Sequence, residues 1–271
     1  MQSFHTIQLT ENRKIYFLSD LHLGAPDEEK SRLREQKVLR FLNQAEKDAQ
    51  AIFLVGDVFD FWFEYTHAVP KGFVRFLAKL ADLKEKGIAV YMFAGNHDLW
   101  LKDYLYLETG VQIYHDRQLF RVLDENGRHT DIFVAHGDGL GPGDTKYKIL
   151  KKIFTHPVCQ WMFRWLHPDI GIKMGLYFSR GSRISNMIKQ DKDENFFETD
   201  KEFLRIFSTE TAKQNPEIDY FVFGHRHIPT IFNVSEKARC IILGDWVKHY
   251  SYGEFDGETF EIKYFEKPDQ K

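Results

Sequence analysis

Residues 15–22 read IYFLSDLH, a short apolar run, Ile15–Ser19, closed abruptly by Asp20 and His22. A run of that length, rich in aromatic and branched residues and cut off by polar ones, predicts a buried strand. The arrangement recurs four times. Ala51–Val55 (AIFLV) leads through Gly56 to Asp57, and Ile88–Ala94 (IAVYMFA) leads through Gly95 to Asn96, His97 and Asp98. Asp131–Ala135 (DIFVA) leads to His136, and Tyr220–Phe223 (YFVF) leads through Gly224 to His225 and His227. In layered α/β proteins ligands bind beyond the carboxyl ends of the strands. Five strand ends are therefore expected to deliver Asp20, His22, Asp57, Asn96, His136, His225 and His227 to one rim.

Between these strands lie helical patterns. Ser31–Gln50 carries Leu33, Val38, Leu39 and Leu42 on one side, and Phe73–Lys86 ends at Gly87, a C-cap residue. Leu119–Leu123 and Asp131–Ala135 read as a hairpin around Glu125-Asn126-Gly127. Ile231–Val234, Cys240–Leu243 and Tyr250–Phe255 read as further short strands. The order β-α-β-α-β, then strands, a helical block and strands again predicts a layered α/β fold: packed sheets with helices outside. The 271 residues fit one domain. The block from about Gly139 to Gln214 is too long for a loop and is expected to be a helical cap inserted between two core strands.

Composition narrows the function. Hydrophobic residues make up 43% and the net charge is -3, without a dense basic stripe outside the insertion, which argues against a nucleic-acid partner. The two cysteines, Cys159 and Cys240, are far apart and read as reduced thiols. The N-terminal stretch has no apolar signal-peptide core, and no run has the length of a membrane span, so a cytoplasmic location is expected.

The donor set is chemically coherent. Carboxylate, amide and imidazole donors suit Mn, Fe or Zn, and no thiolate is present to select a softer metal. A carboxylate such as Asp57 can bridge two cations, and two ions about 3.5–4 Å apart can clamp an in-line displacement at phosphorus. Each motif alone is weak; all five in order, each after a strand, leave little room for a purely structural reading. The remaining histidines (His5, His67, His115, His129, His156, His167 and His249) lack such context and read as structural or solvent-exposed. Gly244-Asp245-Trp246 reads as a strand end near the rim.

These motifs, spanning residues 20–227, resemble those of the calcineurin-like metallophosphoesterase superfamily. The resemblance implies two divalent ions, one held by Asp20, His22, Asp57 and His227 and the other by Asp57, Asn96, His136 and His225. It further implies that His97 faces the substrate phosphate as general acid or charge stabiliser, and that Asp98 orients His97 through a hydrogen bond. Within the superfamily the chain is similar to the UDP-2,3-diacylglucosamine hydrolases of lipid A biosynthesis. That similarity is carried by Ser19-Asp20-Leu21-His22-Leu23, by Gly56 to Trp62 (GDVFDFW), and by His136 to Leu140 (HGDGL) followed by Asp144 and Tyr147. A helical insertion and Gly224 to Pro229 (GHRHIP) complete it. The implied reaction cleaves the pyrophosphate bond of a lipid-linked UDP-sugar to UMP and lipid X, with Mn as the implied metal. The protein would then lie peripherally on the cytoplasmic face of a bacterial inner membrane. Two positions differ from that branch: His97 stands where those hydrolases commonly carry arginine, and Asp60 where they carry glutamate.

The insertion fits such a substrate. Residues 146–165 (KYKILKKIFTHPVCQWMFRW) combine lysines with large apolar side chains, a composition suited to an acyl-chain pocket and an anionic bilayer surface. The plainer reading is an amphipathic helical pair packed on the core. Arg180, Arg183 and Lys189 are candidate phosphate contacts, with a solvated helix face as the alternative. Asp144 and Tyr147, just after the His136 motif, are further substrate candidates. A phosphoesterase for a soluble nucleotide, cyclic nucleotide or phosphoprotein stays open at this stage, as does a non-catalytic scaffold.

Overall fold

The computed structural model describes residues 4–142, 145–192 and 202–266, the side chains of 146 and 182–192 excepted. The first half runs β1 (His5–Gln8), β2 (Lys14–Leu18), α1 (Glu28–Ala45), β3 (Ala49–Val55), α2 (Val74–Glu85), β4 (Ala89–Phe93), α3 (Tyr104–Thr109), β5 (Gln112–Tyr114), β6 (Gln118–Leu123) and β7 (His129–Ala135). There follow α4 (Thr145–Thr155), α5 (Pro157–Arg164), α6 (Pro168–Lys192), α7 (Phe203–Gln214), β8 (Tyr220–Phe223), β9 (Thr230–Asn233), β10 (Arg239–Ile242), β11 (Ser251–Phe255) and β12 (Phe260–Tyr264). Two six-stranded sheets form, ordered β1-β6-β7-β8-β10-β9 and β12-β11-β2-β3-β4-β5. The strands that end at the candidate ligands, β2-β3-β4 in one sheet and β7-β8 in the other, run parallel within their sheets.

The apolar runs are continuous rather than alternating because both faces of each sheet are covered. Ile15 and Phe17 of β2, with Ala51, Phe53 and Val55 of β3, face the core between the sheets, where they meet Phe120, Ile132, Val134, Val222 and Ile241. Their neighbours Tyr16, Leu18, Ile52 and Leu54 point the other way, beneath Phe41 and Leu42 of α1 and Phe76 and Leu80 of α2. The second sheet shows Phe133, Phe221, Phe223, Cys240 and Ile242 to Leu204 and Ala212 of α7. Burying one such side chain is worth about 1.5–3 kcal/mol, so a one-residue slip of any central strand would forfeit several at once. Helix α1 begins earlier than the apolar spacing suggests because Asp27 caps it, its carboxylate accepting from Lys30 N at 2.8 Å, with Glu28 and Glu29 in the first turn.

The helical block divides. Helix α7 buries Leu204, Ser208 and Ala212 on the sheet and belongs to the core layer rather than to the cap. Helices α4 to α6 rest instead on an aromatic cluster in which Phe163 meets Phe63 at 4.7 Å and Trp100 at 4.8 Å between ring centroids. Helix α6 is seated through Gly171 and Gly175. A Cβ on Gly175 would come within 2.2 Å of the Phe61 ring, and one on Gly171 within 2.0 Å of the Tyr65 hydroxyl.

Candidate metal centre

The five strand ends converge. The backbone stitches them together: His22 N donates to Asp57 O (2.9 Å), Gly224 N to His136 O (3.0 Å) and Trp246 N to Asp20 O (3.2 Å). The turns are tight. Asp20, His22, Asp57, His225 and His227 all have positive φ, between 44° and 67°. For residues other than glycine this left-handed conformation costs about 1–2 kcal/mol each, and such strain gathers at functional sites. Side chains fill the space that glycines leave. A Cβ on Gly95 would lie 2.2 Å from Asp57 Oδ1, and one on Gly224 would lie 1.8 Å from Ser19 Oγ.

Each carboxylate is fixed through one oxygen and presents the other. Asp20 Oδ2 accepts from Ser19 Oγ (2.6 Å) and His225 N (2.9 Å), and Asp57 Oδ1 accepts from His97 N (2.8 Å). Around Asp20 Oδ1 stand His227 Nε2 at 3.3 Å and His22 Nε2 at 3.7 Å; the latter is 3.8 Å from Asp57 Oδ2. On the other side of Asp57 Oδ2 is His136 Nε2 at 3.4 Å, itself 3.3 Å from Asn96 Oδ1. His225 completes this side, its ring centroid 5.2 Å from that of His136. Donors bound at about 2.1 Å around one cation stand about 3.0–3.4 Å apart, close to several of these separations. Asp57 Oδ2 lies between the two groups.

The burial of this cluster suits cations. Asp20, His22 and Asp57 are at most 1% exposed, yet among the described residues Asp20 Oδ1 and His22 Nε2 have no hydrogen-bond partner. Buried polar atoms left so are costly. Without ions the carboxylates draw protons onto their neighbours. Burial would lower the His136 pKa, but Asp57 raises it to about 10; burial likewise opposes and Asp20 raises His227 to about 9. His225 is driven down to about 3 by burial and by His136.

A second ring of contacts turns three of the imidazoles so that Nε2 faces inward, the arrangement that sets ligand tautomer and basicity. His136 Nδ1 lies 2.9 Å from Val55 O, His227 Nδ1 3.2 Å from Asp245 Oδ2, and His22 Nδ1 3.4 Å from Asp60 Oδ1. Arg34 Nη1 reaches the carbonyls of Leu21, His22 and Ala25, pinning the turn that carries His22. On sequence, Asp60 stands out only within the Gly56–Trp62 motif and Asp245 only in the Gly-Asp pair near the rim; Arg34 carries no signal there.

His97 is buried beside the cluster, with Nε2 3.9 Å from Asp57 Oδ2. The expected hydrogen bond from Asp98 to His97 is corrected. The Asp98 carboxylate accepts instead from Val58 N (2.8 Å), Phe59 N (3.3 Å) and Gly95 N (2.7 Å), clamping the two turns on either side. Burial, reinforced by Asp57, pushes its pKa up to about 7. His97 Nδ1 meets Ser179 Oγ at 2.8 Å and Asp60 O at 3.2 Å. Tyr147 donates its hydroxyl to Asp138 Oδ2, as does Lys151 Nζ, both at 2.5 Å, which ties α4 to the turn after β7. Arg180 is exposed on α6. Arg183 and Lys189 lie on the same helix, where their side chains are outside the described residues, and Asp144 is outside them altogether. A cleft of about 330 Å³ opens beside His136, lined by His115, Asp116, Arg117, Asp138 and Lys151 among others.

Residues 13–229 match the family model described as calcineurin-like phosphoesterase. The chain is 33% identical over 261 residues to a Porphyromonas gingivalis protein named UDP-2,3-diacylglucosamine hydrolase, covering 93% of this chain and 98% of that one. Proteins of the same name from Neisseria meningitidis (30% over 243 residues, 87% and 91% covered) and Vibrio atlanticus (26% over 260 residues, 92% and 96% covered) are similar along nearly their whole length.

Proposed function

Because the chain belongs to the calcineurin-like phosphoesterase family, we propose that it hydrolyses the pyrophosphate bond of UDP-2,3-diacylglucosamine, giving UMP and 2,3-diacylglucosamine 1-phosphate. The observation that carries this reading is a buried cluster of metal-ligand type beside a helical cap with a greasy outer face. Ile149, Leu150 and Ile153 of α4, Val158, Trp161 and Met162 of α5, and Ile170, Tyr177 and Phe178 of α6 are each 45–75% exposed. An apolar face of this extent suits acyl chains and the bilayer surface from which they come. No described helix is long and apolar enough to cross a membrane.

In this account Asp20, His22, Asp57 and His227 would hold one divalent ion and Asp57, Asn96, His136 and His225 the other; the donors suit Mn, Fe or Zn, and Mn is the metal that the resemblance to the UDP-2,3-diacylglucosamine hydrolases implies. Bound there, the ions supply the Lewis acidity that hydrolysis at phosphorus requires. The chain's own residues do the rest. Asp60 and Asp245 hold His22 and His227 in their ligating orientation. His97, buried beside the cluster, turns Nε2 toward Asp57 and the position of the reacting phosphate. The polar cleft beside His136 takes the nucleotide half, and the cap takes the lipid half, with Arg180, Arg183, Lys189, Asp144 and Tyr147 as candidate contacts.

The test is an incubation of the Mn-loaded protein with UDP-2,3-diacylglucosamine, followed by an assay for UMP. Release that stops on chelation supports the proposal. Absence of UMP alongside turnover of an aryl phosphodiester would discard the lipid substrate and leave the phosphoesterase.

A further inference from the structure

Helix α6 approaches the core along one line of residues. Gly171, Gly175 and Ser179 recur every four positions, lie on one face, and are buried while their neighbours Lys173, Tyr177 and Arg180 are exposed. The two glycines let the helix settle onto Phe61 and Tyr65. The third position could have been another small apolar residue had packing been the only demand. It is a serine, 8% exposed, and its Oγ lies 2.8 Å from His97 Nδ1.

The second neighbour of that nitrogen settles the direction of the bond. Asp60 O, 3.2 Å from His97 Nδ1, is a backbone carbonyl and can only accept. Nδ1 must therefore carry the proton, shared between the carbonyl and the serine oxygen. Nε2 is left to face Asp57 and the reacting group. We infer that Ser179 is a positioning residue: from the cap helix it fixes His97 in the tautomer and orientation that turn Nε2 toward the metal cluster. The seating of α6, the helix that carries Arg180 and the positions of Arg183 and Lys189, thereby bears on the orientation of the histidine. The inference rests on the phosphoesterase reading of the cluster and is independent of the lipid substrate.

The experiment has two arms. In the zinc-loaded protein with ¹⁵N-labelled histidine, NMR should find His97 protonated at Nδ1, and Ser179→Ala should give a mixture of tautomers. With an aryl phosphodiester as substrate, Ser179→Ala should lower kcat about 10-fold, the lower end of what loss of a partner behind an active-site group costs, with KM unchanged. Ser179→Thr, which keeps the hydroxyl, should recover most of the rate. In a His97→Ala background Ser179→Ala should cost nothing further. An unchanged His97 tautomer in Ser179→Ala, or an equal loss of kcat with and without His97, overturns the inference. If the wild-type protein fails to cleave the diester, the phosphoesterase reading falls, and the NMR arm still decides the role of Ser179.

Discussion

Replacing Asp245 by asparagine should damage one half of the metal centre and spare the other. Asp245 is 2% exposed and uses its two oxygens differently. Oδ1 accepts from the backbone N of Val247, Lys248 and His249 at 2.8–3.2 Å, while Oδ2 stands 3.2 Å from His227 Nδ1. Asparagine keeps an oxygen for the three amides, which forces its NH₂ toward His227. That group donates, so His227 must turn Nδ1 into an acceptor and carry its proton on Nε2, the nitrogen that faces Asp20. The bond lost is one to a charged group, worth about 1.5–3 kcal/mol, a factor of about 10–100 in metal affinity. This agrees with the usual cost of losing a partner behind a metal ligand. Calorimetric titration of metal-free protein with Mn should show one equivalent weakened by that factor and the other unaltered. Asp245→Ala, which imposes no wrong tautomer, should weaken it less. Wild-type affinity for both equivalents in Asp245→Asn would refute the reasoning.

Other outcomes follow from the same geometry. Asp57→Ala removes the carboxylate that both groups share and should abolish hydrolysis; most activity retained with metal bound normally would contradict the site. Metal binding at pH 7 should release about two protons, because His136 and His227 sit at about 10 and 9 without ions and must lose a proton to ligate. Calorimetry in buffers of different ionisation enthalpy measures this, and affinity should fall as pH falls. Glu254 is buried, which would raise its pKa, but hydrogen bonds from Lys263 (2.8 Å) and Lys14 (2.9 Å) hold it below the usual range. A depressed carboxylate contributes stability that is present above its unfolded pKa and lost as pH falls through the folded one. Glu254→Gln should thus lower the melting temperature at pH 7, with the difference closing under acid.

The ligands were legible in the sequence because a buried strand that ends on a polar residue has only one place to put it. The strands β2, β3, β4, β7 and β8 are apolar runs with a neighbouring strand on either side, so local pattern and burial agree. β1, β5 and β12 were not read: they are edge strands of three to five residues with polar positions such as Gln112, Glu261 and Lys263, and only pairing with a neighbour makes them strands. The block from Gly139 onward has helical spacing throughout. What separates α7 from the cap is which surface it meets, and that is a long-range fact. The same holds for Ser179, which reaches His97 across 82 residues of sequence, and for Asp245, which reaches His227 across 18. Asp98 was expected to bond to its neighbour His97. The turns at Gly56 and Gly95 instead bring three backbone amides within its reach, and those amides have no other place to go.

The central claim is that Asp57 lies between two metal ions. Crystals grown with Mn and measured at its absorption edge test this most directly. The account predicts two anomalous peaks about 3.5–4 Å apart, one among Asp20, His22 and His227, the other among Asn96, His136 and His225, with Asp57 touching both. A single peak, or two that leave Asp57 out, would contradict it.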